Sequence, residues 1–368
     1  MKFYKFLFVF VLAVAAFCLY AEQQQAEIKK LTPRDNMNIP SINRGGESYR
    51  IIVLGDVHYD GAEYHHHLSE KWKKIIKAIP RNIEMWESRM GKLLSAAKSQ
   101  ATSKTEMVIQ IGDLVEGNCG NGEAHVKMVT DAINFMDNFF GEIPFYFCAG
   151  NHDYNGDDAQ AAFDKAALPY YSKMLGKKVA SRSYYFTVKN DLFIFTDYNN
   201  PDLAMIEKAL QENSEARYKF LVTHGSVIPS DLPTLHGYFL SKDVEKYNCM
   251  RDLLLKNEVI VLSGHSHVCE LIDCVAQEGR LTQITLDSRW TPAYVIEKSP
   301  GSTTPQQYGR RQKTPEKIAE YAKYQGVIKE FYQNFTAAYA ILDINNDGIV
   351  VNFYVGDKLE SKYCYKLR

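Results

Sequence analysis

The sequence has little that would staple a small fold or cage a structural zinc. Seven cysteines are spread through 368 residues and none forms a C-x-x-C pair, which excludes a cysteine scaffold while leaving room for one or two bridges in an oxidising compartment. Charge of one sign is also missing: 43 basic side chains face 44 acidic ones, so there is no electrostatic footprint for nucleic acid. No glycine-rich nucleotide fingerprint follows any strand-like run, and no unit repeats at a fixed period. Disorder, collagen and coiled coil are excluded by a content of 46% hydrophobic and 24% charged residues, which is ordinary for a globular chain.

There is one long hydrophobic run. Lys2 and Lys5 precede sixteen uncharged apolar residues, Phe6 to Ala21, a signal-peptide pattern ending in a small-residue site. The run is shorter than the roughly 20 residues a spanning helix needs, so cleavage after residue 21 is expected, an uncleaved anchor being the alternative. Phe17 before Cys18 is too bulky for lipidation at that cysteine. The mature chain would carry 41 basic and 44 acidic side chains. The expected location is exported, periplasmic or secreted, with no membrane contact after cleavage.

Residues 22–47 are polar with Pro33, Pro40, Gly45 and Gly46, an extended leader. Apolar runs of strand length then recur at 49–56, 106–113, 144–151, 192–197, 218–224 and 258–264. Each is continuous rather than alternating, as expected of strands buried on both faces. Helical patterns lie between them at 68–100, broken near Pro80, and at 123–139, 157–167, 203–213 and 243–257. Strand and helix alternate, which predicts an α/β core. Beyond Asp287 the pattern changes to an exposed loop over 297–313, an amphipathic helix over 314–333, and two β-rich runs around Asn345-Asn346-Asp347-Gly348 that read as a hairpin. Asp343, Asn345 and Asp347 have calcium-loop spacing, but Tyr354 stands where such a loop needs a bidentate Glu.

All but one of the six central runs end in residues that ligate metals: Asp56-Val57-His58, Gly112-Asp113, Gly150-Asn151-His152-Asp153, His224, and Gly264-His265-Ser266-His267. Ligands collect beyond the carboxyl ends of strands in α/β sheets, so these ends can converge. Two carboxylates, several imidazoles and one amide suffice for two divalent cations sharing a bridging group. Imidazole with carboxylate suits Mn, Fe, Zn or Ni rather than calcium. Two such ions, two aspartates and a bridging hydroxide leave a residual charge of about +1 toward an anionic phosphoryl group, with the bound water acidified from a pKa of about 15.7 to about 7.

In this order, D-x-H, G-D, G-N-H-D, H and G-H-x-H resemble the calcineurin-like metallophosphoesterase superfamily, over about residues 49–287. The resemblance implies a two-sheet αββα sandwich, here with a helical insertion and a C-terminal β extension. It implies one metal on Asp56, His58 and His267, a second on Asn151, His224 and His265, and Asp113 bridging both. His152 would contact the phosphate and protonate the leaving alkoxide, with Asp153 orienting its ring; a turn or cap role for Asp153 stands beside this. Gly55, Gly112, Gly150 and Gly264 serve the tight strand-to-loop turns.

Departures narrow the class. Protein Ser/Thr phosphatases of this superfamily have arginines after the second motif and before G-N-H, where this chain has Leu114 to Asn118 and Cys148-Ala149. Glu116 stands where purple acid phosphatases have a ferric tyrosine. Too few residues follow Asp287 for the substrate domain of exported 5′-nucleotidases. The insertion at about 60–105 carries Trp72 and Trp86, expected to form a small core of their own, with a stacking surface as the alternative. Arg289, Trp290, Tyr308, Arg310 and Arg311 are either a solvated loop or a substrate contact. His65-His66-His67 reads as a solvated loop, with a phosphate or cap contact as the alternative because it follows His58 closely, and His125 and His236 as surface or core residues.

The expected organisation is a signal peptide (1–21), a leader (22–47), a catalytic domain (48–290) and a C-terminal extension (291–368) of loop, helix and hairpin. The expected activity is phosphoester hydrolysis, a metal-bridging hydroxide attacking a small-molecule or lipid monoester or diester. Two further readings stay open: an exported binding protein that keeps the fold without catalysis, and a metal-dependent hydrolase of carbon esters or amides. Substrate, native metals and oligomeric state are not set by the sequence.

Overall fold

Continuous apolar runs become strands when a layer covers each face, and the fourth central run shows how. Along it Leu192 and Ile194 enter one buried cluster while Phe193 and Phe195 enter another, the alternation that a pleated strand imposes. The structure is a computed structural model describing residues 48–66, 68, 73–232, 243–289 and 304–367. Its strands are β1 (Tyr49–Leu54), β2 (Thr105–Gln110), β3 (Phe145–Phe147), β4 (Tyr184–Val188), β5 (Asp191–Phe195), β6 (Lys219–Val222), β7 (Ile260–Ser263), β8 (Cys269–Ala276), β9 (Gly279–Thr285), β10 (Ile328–Asn334), β11 (Ala338–Asn345), β12 (Gly348–Val355) and β13 (Tyr363–Lys366). Helices are α1 (Lys73–Ile76), α2 (Ile79–Met85), α3 (Gly91–Ser99), α4 (Gly122–Phe140), α5 (Ala159–Leu175), α6 (Leu203–Glu212), α7 (Val244–Lys256) and α8 (Pro315–Gln325).

Two mixed sheets result, in the orders β13-β12-β11-β1-β2-β3 and β10-β8-β9-β7-β6-β5-β4. Within them β1-β2-β3 and β5-β6-β7-β9 run parallel, so their carboxyl ends point the same way within each sheet. Ile52, Phe193, Phe220 and Leu262, drawn from both sheets, share one buried cluster. On the far face of the second sheet, Leu192, Leu221 and Val261 meet Ile206, Met250 and Tyr321 of the helices. This is the expected αββα sandwich. Among the described residues no helix is long and apolar enough to cross a membrane.

Several local expectations change. The helix expected over 314–333 ends at Gln325, and the rest is β10, antiparallel to β8; its Phe331 and Tyr332 have an open sheet edge to fill. Strands β4, β8, β9 and β13 were not among the runs read as strands, the middle pair because polar residues interrupt them. The C-terminal hairpin closes at Asn345↔Gly348 and continues the first sheet through β1. Trp86 packs on Tyr59 and Phe135 of the main body, ring centroids 4.7 and 5.2 Å apart, instead of forming a separate core. The His65 side chain is tucked inward, its Nε2 2.6 Å from the buried Asp60 Oδ1, and among the described residues of that run His66 is exposed. His125 is a core residue bonded to the Asp153 carbonyl. All six cysteines beyond residue 48 are free. The signal peptide, the leader, His67, Trp72, His236 and Trp290 lie outside the described residues.

The C-terminal extension grips the loop that follows β6. Tyr308 and Tyr321 donate to the carbonyls of Pro229 and Ser230 at 2.7 and 2.5 Å, and Gln333 donates to that of Asp231 at 2.9 Å. Gln333 also donates to Glu270, which is fully buried. Burial, opposed by the Asp231 N–H and reinforced by the Asp231 carboxylate, pushes the Glu270 carboxyl up to about 8. The folded chain therefore keeps a proton that the unfolded chain releases above an ordinary value of 4.5, and stability falls as pH rises between those limits. Glu270→Gln should flatten that fall, read as the difference in urea midpoint between about pH 5 and about pH 8. An unchanged slope would remove Glu270 as its source.

Candidate metal centre

The parallel strands release their chains into tight turns, and the turns carry the polar residues. His58, Asp113, His265 and His267 all have left-handed backbones, with φ of 50°, 53°, 66° and 49°. Such φ values are costly for residues other than glycine and persist where surrounding structure enforces them. Four of the seven residues expected to ligate metal are therefore held in conformations that local preference disfavours.

Two groups of ligand atoms result, one from Asp56, His58 and His267 and one from Asp113, His224 and His265, each with its atoms within 4.8 Å of one another. Asp113 joins them: its Oδ2 lies 3.1 Å from His224 Nε2 and 3.8 Å from His58 Nε2. The backbone N–H of His152 donates to its other oxygen at 2.7 Å. His224 donates from Nδ1 to the Ile111 carbonyl at 2.9 Å, which turns Nε2 inward. Outer bonds of this kind set the tautomer and aim of a metal-binding imidazole.

The donor set fits divalent cations. His58 Nε2, Asp113 Oδ2, Asn151 Oδ1 and His224 Nε2 are buried and make no hydrogen bond, which is costly unless something else satisfies them. The charges agree. Burial pushes the Asp56 carboxyl up to about 7 against the pull of His224 and His267. Burial would lower His224, but Asp113 and Asp56 outweigh it and raise the ring to about 9. His267 is likewise raised to about 9, Asp287 overcoming burial. Protons on these rings balance the carboxylates, a task that bound cations perform when the rings act as neutral ligands.

A third group, His58, Glu116 and His152, lies alongside. Glu116 was noted in the sequence only as a substitution for tyrosine. Its Oε2 is 2.9 Å from His58 Nδ1, and its backbone carbonyl accepts from His152 Nδ1 at 2.9 Å. Burial pushes its carboxyl up, but His58, His152 and Arg289 hold it down at about 2. The ring-orienting role expected of Asp153 therefore falls elsewhere. The Asp153 carboxylate accepts from the N–H groups of Val115 and Gly150 at 3.0 and 2.7 Å, tying the second and third motif loops together, and the Glu116 carbonyl meets the ring.

Two further neighbours, Asp287 and Tyr198, escaped the sequence, and a third, Arg289, stood there between a solvated loop and a substrate contact. Asp287 Oδ2 lies 3.4 Å from His267 Nδ1; it follows β9 by two residues, and Thr282, Gln283 and Thr285 break the apolar run that marks the other strand ends. The Tyr198 hydroxyl is 3.3 Å from His265 Nε2, and no sequence signal marks it. Arg289 is only 13% exposed and reaches Glu116 at 3.1 Å, so it does not belong to a solvated loop. Tyr308 is buried, and Arg311 stacks on Phe335 away from these groups.

A family model described as calcineurin-like phosphoesterase matches residues 49–269. Among solved structures, a dimetal phosphatase from Danio rerio is similar at 12% identity and a TM-score of 0.51, with 88% of this chain and 99% of that one covered; the likeness is one of fold. GAP50, described as the anchor in the inner membrane complex of Plasmodium, is 18% identical with a TM-score of 0.45, covering 88% of this chain and 89% of its own. PhoD is 11% identical with a TM-score of 0.49, covering 89% and 70%. No curated protein sequence matches the chain.

Proposed function

Since the chain belongs to the calcineurin-like phosphoesterase family, whose model spans more than half of it, we propose that it is an exported hydrolase of small-molecule or lipid phosphoesters working with two divalent transition-metal ions. The observation that carries this reading is Asp113 Oδ2 standing between two carboxylate–imidazole groups. Asp56, His58 and His267 would hold one ion, and Asn151, His224 and His265 the other, with Asp113 shared. Bound there, such ions would supply charge toward the phosphoryl oxygens and would lower the pKa of a water to about 7.

The chain's own residues do the rest. The N–H of His152 and the Ile111 carbonyl keep Asp113 and His224 aimed. With Nδ1 of His152 committed to the Glu116 carbonyl, Nε2 is the atom left to carry a proton to the departing oxygen. Export rests on the apolar run from Phe6 to Ala21 behind two lysines.

The test uses mature protein recovered from the extracytoplasmic fraction, its mass checked for a start at residue 22. It is stripped of metal and resupplied with Mn²⁺, Fe²⁺, Zn²⁺ or Ca²⁺. Hydrolysis of p-nitrophenyl phosphate or its bis ester should return with a transition metal and not with calcium. Metal-loaded protein that cleaves neither would sink the reading, and cleavage of p-nitrophenyl acetate alone would replace it with carbon-ester chemistry.

A further inference from the structure

Arg289 follows β9 by four residues and turns back into the metal centre. Its backbone N–H donates to Asp287 Oδ1 at 2.8 Å, and the other oxygen of that carboxylate faces His267. Its guanidinium donates from Nη2 to Asn82 Oδ1 at 2.8 Å and meets Glu116 Oε2 at 3.1 Å. Glu116 in turn faces His58 and accepts from Asn82 Nδ2 at 2.7 Å. An insertion helix, the second motif loop and the end of the second sheet thus converge on one guanidinium.

That convergence exceeds what packing requires. A buried ion pair is weak support for stability, because removing both charges from water offsets most of their attraction. Here the pair lies against His58 and His152, and Glu116 already has Asn82 and His58 as partners. Arg289 Nε is buried and makes no hydrogen bond, and among the described residues the guanidinium's contacts with oxygen all run from Nη2. Donors are left over on a rigid, permanently charged group, suited to a phosphoryl oxygen.

We propose that Arg289 is a substrate-contact residue that receives a terminal oxygen of a phosphomonoester, with Glu116 and Asn82 holding it in place. The inference rests on the hydrolase reading and deepens it. A phosphomonoester presents three terminal oxygens, a diester two. Two ions held as proposed would account for two oxygens, and only the monoester would have a third for the arginine. This is an arginine outside the positions where the protein phosphatases of the superfamily carry theirs.

The test compares wild type with Arg289→Ala and Arg289→Gln, all metal-loaded, in two assays. Calorimetric titration with inorganic phosphate should show affinity weakened roughly 10- to 100-fold, the worth of one charge-assisted hydrogen bond. The kcat/KM for p-nitrophenyl phosphate should fall by a similar factor, mostly through KM, while the bis ester changes little, with melting temperature and metal content kept. Should the alanine variant fail to fold, the glutamine variant keeps a hydrogen-bonding group toward Asn82 and answers the question. If Arg289 only neutralised Glu116, the pair Glu116→Gln with Arg289→Gln would recover wild-type phosphate affinity. That recovery, or phosphate affinity within about twofold of wild type in the single variants, would overturn the proposal. A wild type that hydrolyses neither ester would defeat the hydrolase reading separately, and the phosphate titration would still decide whether Arg289 binds the anion.

Discussion

Replacing His152 with alanine lowers turnover by about 10²- to 10⁴-fold, the usual contribution of a positioned general acid, and leaves the bound metal unchanged. The geometry separates the two readouts. The backbone N–H of residue 152 holds Asp113 whatever the side chain is. The ring stands edge-on to His58, centroids 4.6 Å apart, with its side chain 21% exposed. It therefore borders the metal groups and is partly open to solvent. A further signature follows from the leaving group. p-Nitrophenolate departs with little need of a proton, whereas an alkoxide requires one, so the loss should be deeper with an alkyl phosphate. Equal losses with both esters, or loss of metal in the variant, would sink the assignment of His152 as the acid and leave it a structural neighbour.

The second large effect is expected from a glycine. A methyl group on Gly264 would stand 2.3 Å from Asp56 Oδ1 and 3.1 Å from His224 Nδ1, closer than van der Waals contact allows. Both neighbours are fully buried, and the Asp56 oxygens also accept from the His265 N–H at 3.2 Å. Neither can retreat without pulling one metal group apart. Gly264→Ala should destabilise the fold by about 1–3 kcal/mol through overpacking. It should also weaken metal binding by more than the roughly 10- to 100-fold that loss of an outer partner produces. Elemental analysis after equilibrium dialysis, alongside urea unfolding, reads both. A variant with wild-type metal content and full turnover would show that the centre adapts more than this packing allows.

The fold was legible in the sequence where one rule covered a whole segment. Uninterrupted apolar runs such as Ile51 to Leu54 and Val259 to Leu262 announced strands covered on both faces. It failed where a segment's state depends on a distant partner. Tyr332 and its neighbours in β10 keep a helix-compatible pattern, and only pairing with Leu271 and Ile272 of β8 decides for strand. Strand β8 itself carries Glu270 and Asp273 in full burial, which no local pattern predicts, because Gln333 and Arg280 that satisfy them come from other strands.

The same division runs through the centre. By itself the sequence determined the ligand-type residues at five strand ends, since a strand end followed by a coordinating side chain, with a glycine between them at four of the five, is a local feature and its order along the chain is specific. The tertiary structure decided which outer groups hold them. Glu116 faces His58 and presents its carbonyl to His152, Asp287 faces His267, Asp153 serves backbone amides, and Arg289 folds in beside Glu116. These pairings span sheets and loops that only packing brings together. Their energies come from burial that leaves a charge or a hydrogen-bonding atom with one neighbour to turn to. Such proximity is a property of the assembled sandwich rather than of any stretch of chain.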